Sequence, residues 1–156
     1  MSLDEAQACE VPLDELPEAE VQEIIKNMRT IAIIGISNTP DRPSFRVADY
    51  LQNKGFKIIP VNPVLKEVLG EKAYPDLKAI PKELHPIDVV DIFRKSETVP
   101  EIVKEAIAIG AKVIWMQEGV VNNKAANEAR AAGLKVVMNR CIKKTYSAFL
   151  LEKENK

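Results

Sequence analysis

A short segment near residue 40 concentrates residue types that suit a phosphate group. Gly35 permits a tight turn, and Ser37 and Asn38 supply hydrogen-bond donors directly after it. Ser44 is expected to cap the next helix, whose free N–H groups and positive dipole end favour an anion. Arg42 can add charge-assisted hydrogen bonds to phosphate oxygens. This combination predicts a loop that binds a phosphate-bearing nucleotide cofactor.

Buried strands that alternate with amphipathic helices position this loop. A first helical stripe precedes the strands, and later helices are predicted from Ser44, from a Thr98/Glu101 capping box and from Asn123. The predicted main strands are β-branched apolar runs, at Thr30–Ile36, Lys57–Val61, Asp88–Phe93, Lys112–Met116 and Leu134–Met138. Such alternation is typical of βαβ units with right-handed crossovers. The predicted fold is therefore α/β, a single three-layer, Rossmann-like, doubly wound domain with a mainly parallel sheet.

The chain divides into three parts by composition. Residues 1–17 form an acidic N-terminal extension that is expected to be mobile and to pack Leu13 and Leu16 on the domain. Residues 18–151 form the Rossmann-like domain, and residues 152–156 form a charged tail. Between the second and third main strands the pattern is weaker, with a short strand predicted at 72–74 and a helical turn at 77–80.

The composition excludes several classes of function. The chain has 156 residues, of which 46% are hydrophobic and 29% charged, with a net charge of −1, so it carries no basic field for nucleic acid. It has no apolar run long enough for a membrane span and no signal peptide, so a cytoplasmic location is expected. Cys9 and Cys141 lie far apart and His85 is the one histidine, so neither a disulfide framework nor a metal site is predicted.

Ligands of open parallel sheets bind outside the carboxyl ends of the strands, where the strand order reverses. The residues that follow the predicted main strands all include polar groups, and they are Gly35-Ile36-Ser37-Asn38, Asn62-Pro63, Phe93-Arg94-Lys95-Ser96, Gln117-Glu118-Gly119 and Asn139-Arg140-Cys141. Because these segments meet at one edge of the sheet, the sequence predicts a binding crevice there.

The signature of a nicotinamide or flavin dinucleotide is missing. A G-x-G-x-x-G motif needs two further glycines after Gly35, yet Ser37 and Asp41 stand near the positions where they would be sought. An acidic residue that would hold the ribose hydroxyls is also absent, because the second strand ends in Val61-Asn62-Pro63. A redox dinucleotide is therefore disfavoured.

Six blocks in order resemble the small stand-alone CoA-binding domain proteins, which are relatives of the CoA-binding module of the succinyl-CoA synthetase α subunit. The blocks cover roughly residues 28–146 and read GISNTPDRPSFRVADYL, IIPVNP, LGEKAYPDL, DVVDIFRKSETVP, AIAIGAKVIWMQEGV and GLKVVMNRC. The resemblance implies a domain that binds coenzyme A across the strand ends, with the adenosine diphosphate part over the first loop and the Asn62-Pro63 turn.

The cofactor-binding residues that the resemblance and the loop chemistry together favour lie after four strands. They are Gly35, Ile36, Ser37, Asn38, Arg42, Ser44, Val61, Asn62, Pro63, Lys66, Phe93, Arg94 and Gln117. The expected partner is thus a small molecule, CoA or an acyl-CoA, and a domain of this kind is also compatible with a homodimer.

No catalytic residue is predicted. His85 lies in a turn-like segment and is interpreted as structural. Cys141 precedes two lysines, so a mixed disulfide with the CoA thiol is a further hypothesis. Asp91 alternates with apolar residues and is a candidate to face the crevice. The open alternatives are an NAD(P)-type enzyme, a CoA-transfer or ligase accessory subunit that needs a partner, and an interaction protein with a vestigial crevice.

Overall fold

The computed structural model describes residues 10–155 of the chain. Cys9 and the start of the acidic extension therefore lie outside the described residues. The helices are α1 (Glu18–Asn27), α2 (Pro43–Asn53), α3 (Val99–Ala108), α4 (Asn123–Ala131) and α5 (Ile142–Glu154). The strands are β1 (Thr30–Ile34), β2 (Lys57–Val61), β3 (Glu67–Val68), β4 (Glu71–Lys72), β5 (Val89–Ile92), β6 (Val113–Met116) and β7 (Lys135–Val137). Among the described residues, none of these helices combines the length and the apolarity that a membrane span requires.

Five strands form one parallel sheet in the order β2-β1-β5-β6-β7. The chain moves outward from β1 to β2, then returns to the other side of β1 and continues through β5, β6 and β7. The strand order therefore reverses between β1 and β5, which is where a doubly wound sheet places its ligand. The predicted Rossmann-like α/β fold is confirmed.

Each face of the sheet is covered by helices and buries its own apolar cluster. One face carries Ile34, Val61 and Ile92 and packs against α3 and α4. The opposite face carries Ile33 and Trp115 and packs against α1, α2 and α5. Because successive strand residues point to opposite faces, a strand buried on both faces is largely apolar. This explains the β-branched runs in the sequence, in which Asp91 on β5 is a buried polar exception.

The element ends differ from the prediction in small ways with clear causes. β1 ends at Ile34 rather than Ile36 because Gly35 takes a positive φ of 83° and turns the chain. α2 begins at Pro43 with Arg42 as its N-cap, so the prediction of Ser44 as the capping residue is wrong. Thr98 does precede α3, but its hydroxyl donates to the Lys95 carbonyl and makes no capping bond to the helix, so the capping box is also wrong.

The region between β2 and β5 is better ordered than its sequence pattern suggests. β3 and β4 form a two-stranded antiparallel hairpin, and residues 77–79 form a single 3₁₀ turn. Tyr74 pairs with the outer side of β2, since its N–H donates to the Pro60 carbonyl at 3.0 Å and its carbonyl accepts from the Asn62 N–H at 2.9 Å. This bridge pairs the carboxyl end of the β2 edge.

Residues 10–17, called the strap below, run along α4 before the chain enters α1. Glu10 and Leu13 bond to Asn123 at the start of α4, and Arg130 near its end donates to the Leu13 and Asp14 carbonyls. Leu16 packs against the α1 face of the sheet, as predicted, whereas the Leu13 side chain is 58% exposed. Backbone and carboxylate hydrogen bonds, more than apolar burial, hold this segment on the domain.

Candidate functional site

The sheet edge around the switch point between β1 and β5 brings four of the predicted segments together. The strand ladder continues past its formal ends, because the Gly35 N–H donates to the Val61 carbonyl and the Phe93 N–H donates to the Ile34 carbonyl. Gln117 extends the same row, with its N–H donating to the Ile92 carbonyl at 3.2 Å. The residues after β1, β2, β5 and β6 therefore share one edge of the sheet.

Gly35 is required by the close approach of the two central loops. A Cβ atom at this position would lie 2.9 Å from the Phe93 carbonyl oxygen and 3.2 Å from the Arg94 side chain. Its φ of 83° is also one that other residues rarely adopt. The backbone at Gly35 and the aliphatic stem of Arg94 thus lie close together at the switch point.

The first loop is shaped by its own serines. The buried Ser44 hydroxyl accepts from the Ser37 N–H at 2.9 Å, and the Ser37 hydroxyl accepts from the Thr39 N–H at 3.0 Å. Ser44 therefore closes the loop onto α2 instead of capping that helix. Its side chain sets the loop conformation, while Asn38 and Arg42 remain exposed on the outside.

Asn62 connects the second loop to the first. Its side-chain amide donates to the Ile36 carbonyl at 2.9 Å, and its Oδ1 accepts from the Val64 and Leu65 N–H groups at 2.8 and 3.1 Å. The side chain thus makes three internal hydrogen bonds, and it positions the two loops rather than presenting free polar groups. Pro63 follows it on the exposed rim.

Several cationic side chains surround this loop pair. Arg42, Arg46 and Lys66 are exposed around the ends of β1 and β2, and Arg94 is exposed after β5. Asp41 is the acidic residue inside the same loop. The net positive character of the rim suits a polyanionic ligand, since phosphates bind both to guanidinium groups and to the start of a helix.

An apolar cleft of about 230 Å³ opens beside the switch point on the α3 face. Its inner wall includes Ile34, Val61 and Leu77, and Arg94 and Pro63 stand at its rim. The cleft also includes residues that the sequence prediction did not select, namely Pro75, Asp76, Thr98, Glu101, Ile102 and Glu105. These residues lie in the weakly patterned segment and on α3, and only the sheet topology brings them to β1.

The far end of the crevice is closed by internal bonds. The side chain of Gln117 is 5% exposed, and its Oε1 accepts from the Ile142 N–H at the start of α5. Asn139, which has a φ of 56°, accepts from the Gly119 N–H at 2.8 Å. Gln117, predicted as a ligand contact, therefore orients α5 through its oxygen.

Ion pairs neutralise the cations at this far end. Arg140 holds the Glu18 carboxylate with two hydrogen bonds of 2.8 and 2.9 Å, and Lys144 bonds to Glu118 at 3.0 Å. The hydrogen bond from Arg140 lowers the pKa of Glu18, and the same bond raises the pKa of Arg140. The hydrogen bond to Glu118 likewise raises the pKa of Lys144.

Cys141 lies next to these pairs at the N-cap of α5 and is 8% exposed. It contributes to a shallow depression of about 250 Å³ with Arg140 and Lys144. His85 is half-buried, and its Nε2 lies 3.2 Å from the Ile80 carbonyl oxygen. Within residues 10–155 no three potential metal-binding side chains cluster together.

Asp91 does not face the crevice, so that expectation is wrong. It lies on β5 between Ile33 and Trp115, on the face covered by α1, α2 and α5, with no solvent exposure. Neither carboxylate oxygen has a hydrogen-bond partner among the described residues. Burial raises the pKa of Asp91 well above its ordinary value, because removing the ionised form from water is unfavourable.

Comparison with known proteins gives a family. Residues 29–147 match the profile of a family described as "CoA binding domain". The chain is 42% identical to the uncharacterized protein YneT of Bacillus subtilis over 126 residues, which are 81% of this chain and 91% of that protein. A hypothetical protein from Pyrococcus horikoshii has a similar structure, with a TM-score of 0.83 and 39% identity over 90% of this chain and 97% of its own.

Larger enzymes contain a related segment. The α subunit of ADP-forming acetate–CoA ligase II from Pyrococcus furiosus is 31% identical over 127 residues. That match covers 74% of this chain but only 27% of the ligase subunit. The chain thus corresponds to about one quarter of that relative.

Proposed function

The chain belongs to the CoA-binding domain family, and we propose that it binds coenzyme A or an acyl-CoA at the carboxyl ends of β1, β2 and β5. One observation carries the proposal: a closed loop, exposed basic side chains and an apolar cleft adjoin one another at the ends of β1, β2 and β5. A nucleotide presents phosphates to such a loop and its cations, and the apolar faces of its planar base to such a cleft.

The phosphates are assigned to the first loop and its rim. The start of α2 offers free N–H groups and the positive end of the helix dipole, and Arg42 lies directly before it. Arg94, whose stem lies beside Gly35, is assigned to the same phosphates from the β5 side. Lys66, exposed after β2, is assigned to the third phosphate of CoA, which an acidic residue at Asn62 would repel.

The adenine is assigned to the cleft on the α3 face. Ile34, Val61 and Leu77 supply an apolar wall that matches the faces of a planar base. Pro63 and Arg94 border the opening, so the base would lie between the loop after β2 and the loop after β5. This assignment leaves the pantetheine arm to extend over the ends of β5 and β6, toward Gln117.

The proposed function is binding without chemistry of its own. Cys141 is 8% exposed, and Lys144, which lines the same depression, is paired with Glu118. His85 contacts a backbone carbonyl, and Asp91 is fully buried. No nucleophile with an adjacent base is found among the described residues. The relation to acetate–CoA ligase subunits favours one second candidate, a domain that serves CoA to a partner which supplies the catalytic groups.

A thermal-unfolding series tests the proposal directly. The full chain is heated with CoA, acetyl-CoA, dephospho-CoA, NADP, NAD or ATP at matched concentrations. CoA at 100 times its Kd should add about 2.7 kcal/mol to the free energy of unfolding. We expect CoA and acetyl-CoA to stabilise most, and dephospho-CoA to stabilise less because it lacks the third phosphate. A larger shift with NAD than with CoA would overturn the proposal.

A further inference from the structure

The two edge strands of the sheet, β2 and β7, differ in their backbone pairing among the described residues. The β2 edge is paired with Tyr74. The β7 edge pairs only with β6 on its inner side among residues 10–155. Because the Lys135 N–H donates inward to the Lys112 carbonyl, the alternation of a parallel ladder directs both backbone polar groups of Val136 to the outer side. An outer edge of this kind is a template for pairing with another strand.

The strap crosses this edge. It starts on α4, which covers one face of the sheet, and it ends in α1, which covers the other. The chain must therefore pass around β7 between the two faces. A cleft of about 150 Å³ lies at this crossing, with Glu15 and Leu16 on one side and Val136 and Met138 on the other.

The strap is fastened at both ends by specific bonds. Asn123 donates to the Glu10 carboxylate and the Val11 carbonyl through its Nδ2, and its Oδ1 accepts from the Leu13 N–H. At the other end, the first turn of α1 is tied to both ends of β7, by Glu20 to Lys135 at 3.4 Å and by Glu18 to Arg140. These contacts keep the strap in front of the strand without forming a ladder with it.

We propose that the strap guards the outer edge of β7 against pairing with β7 of a second copy of this chain. The strand is self-complementary about Val136, because two copies in antiparallel register would exchange both outward hydrogen bonds at that residue. In this register Lys135 of one copy faces Val137 of the other, so no like charges lie directly opposite. The strap occupies the path that the second strand would take.

The test uses the full chain with the fastenings removed. The release variant carries Glu10→Ala, Asn123→Ala, Arg130→Ala, Glu18→Ala and Glu20→Ala, which delete the side-chain bonds that hold the strap and the first turn of α1. We expect the parent protein to sediment as a monomer and the release variant to form a species of twice that mass as concentration rises. In the dimer the Val136 amide should exchange its hydrogen at least tenfold more slowly than in the monomer.

A matched control changes two exposed residues of α4 that make no described bond to the strap. Lys124→Ala with Glu128→Ala should remain a monomer. A second variant, Glu18→Gln with Glu20→Gln, loosens only the ion pairs and should dimerise more weakly than the release variant. A release variant that stays monomeric, or that dimerises without protecting Val136, would contradict the proposal. The outcome is independent of CoA binding, so it stands apart from the proposed function.

Discussion

Polar residues play different roles at the two sides of the sheet's carboxyl edge, near β1 and β2 on one side and near β6 and β7 on the other. Around β1 and β2, Ser44 and Asn62 make internal bonds that shape the loops, and the cations outside them stay open to solvent. Around β6 and β7, Arg140 and Lys144 are paired with carboxylates, and Gln117 is tied to α5. The first end is arranged to receive an anion, whereas the second has already neutralised its own charges. The comparison favours the switch point as the place for the proposed CoA site.

The largest effect is expected at Gly35, where the two central loops touch. In Gly35→Ala the new methyl group meets the Phe93 carbonyl at 2.9 Å on a backbone with φ of 83°. Strain and overpacking should together cost about 3 kcal/mol and abolish CoA binding. Chemical denaturation and calorimetry measure both quantities. Gly55→Ala is the control, because it shares the positive φ but has open space around it. Equal losses in both variants would show that the close approach is unimportant.

Asn62→Ala should have the next largest effect, since it removes the bonds that connect the second loop to the first. We expect a loss of about 2 kcal/mol in stability and a weaker affinity for CoA, although the side chain has no assigned ligand contact. Isothermal titration together with urea unfolding separates the two losses. Asn53→Ala, on the exposed end of α2, should change neither quantity. An unchanged CoA affinity in Asn62→Ala would show that the loops hold their positions independently.

A pair of arginine variants sharpens the comparison between the two ends. Arg94→Ala removes an open cation beside the first loop and should weaken CoA about tenfold, in line with the loss of one charge-assisted bond. Arg140→Ala removes a cation already paired with Glu18 and should leave the affinity for CoA unchanged. Fluorescence or calorimetric titrations at fixed salt give both values. The reverse order of effects would place the ligand at the β7 end.

The smallest expected effect is a dependence of the free energy of unfolding on pH that arises from the buried Asp91 on β5. The raised pKa of this carboxyl means that the folded protein keeps the proton after the unfolded chain has lost it. The contribution of Asp91 to the free energy of unfolding should therefore be greatest below the ordinary Asp pKa of 3.8 and fall as the pH rises from there toward the raised value. The slope can reach about 1.4 kcal/mol per pH unit.

Asp91→Asn should remove this slope, which urea unfolding at a series of pH values measures. Asp49→Asn, on the partly exposed surface of α2, serves as the control and should keep the slope of the parent protein. A stability difference between the parent protein and Asp91→Asn that stays constant over this pH range would show that the fold does not raise the pKa of Asp91.

The sequence predicted the sheet well because its signals are local. Buried parallel strands are largely apolar on both faces, so the apolar runs at β1 and β5 identify these strands without knowledge of the rest of the chain. The position of the predicted crevice also follows from strand direction, because the carboxyl ends of parallel strands meet at one edge of the sheet. The role of Ser44 could not be predicted from the sequence. A serine near the start of a helix can cap that helix or, as here, accept a hydrogen bond from the N–H of Ser37, seven residues earlier.

The remaining errors concern partners distant in sequence. Nothing near Asp91 indicates that β1 and β6 will enclose its side chain without a polar partner. Nothing near Arg140 indicates that Glu18, 122 positions away, will bind it. The wall of the α3 cleft likewise depends on a crossover that brings Leu77 and Ile102 to β1. Periodicity predicts which residues are buried, but it does not say what they meet.

Trp115 provides an internal optical probe of these features. It is the only tryptophan of the chain, it is fully buried, and its indole N–H donates to the Arg140 carbonyl at 2.8 Å. It also lies beside Asp91 in the strand register. Its emission should therefore be strongly blue-shifted and should respond to movement at the β7 end without any attached dye. One native chromophore thus allows both the ionisation of Asp91 and the release of the strap to be followed by light in the unlabelled protein.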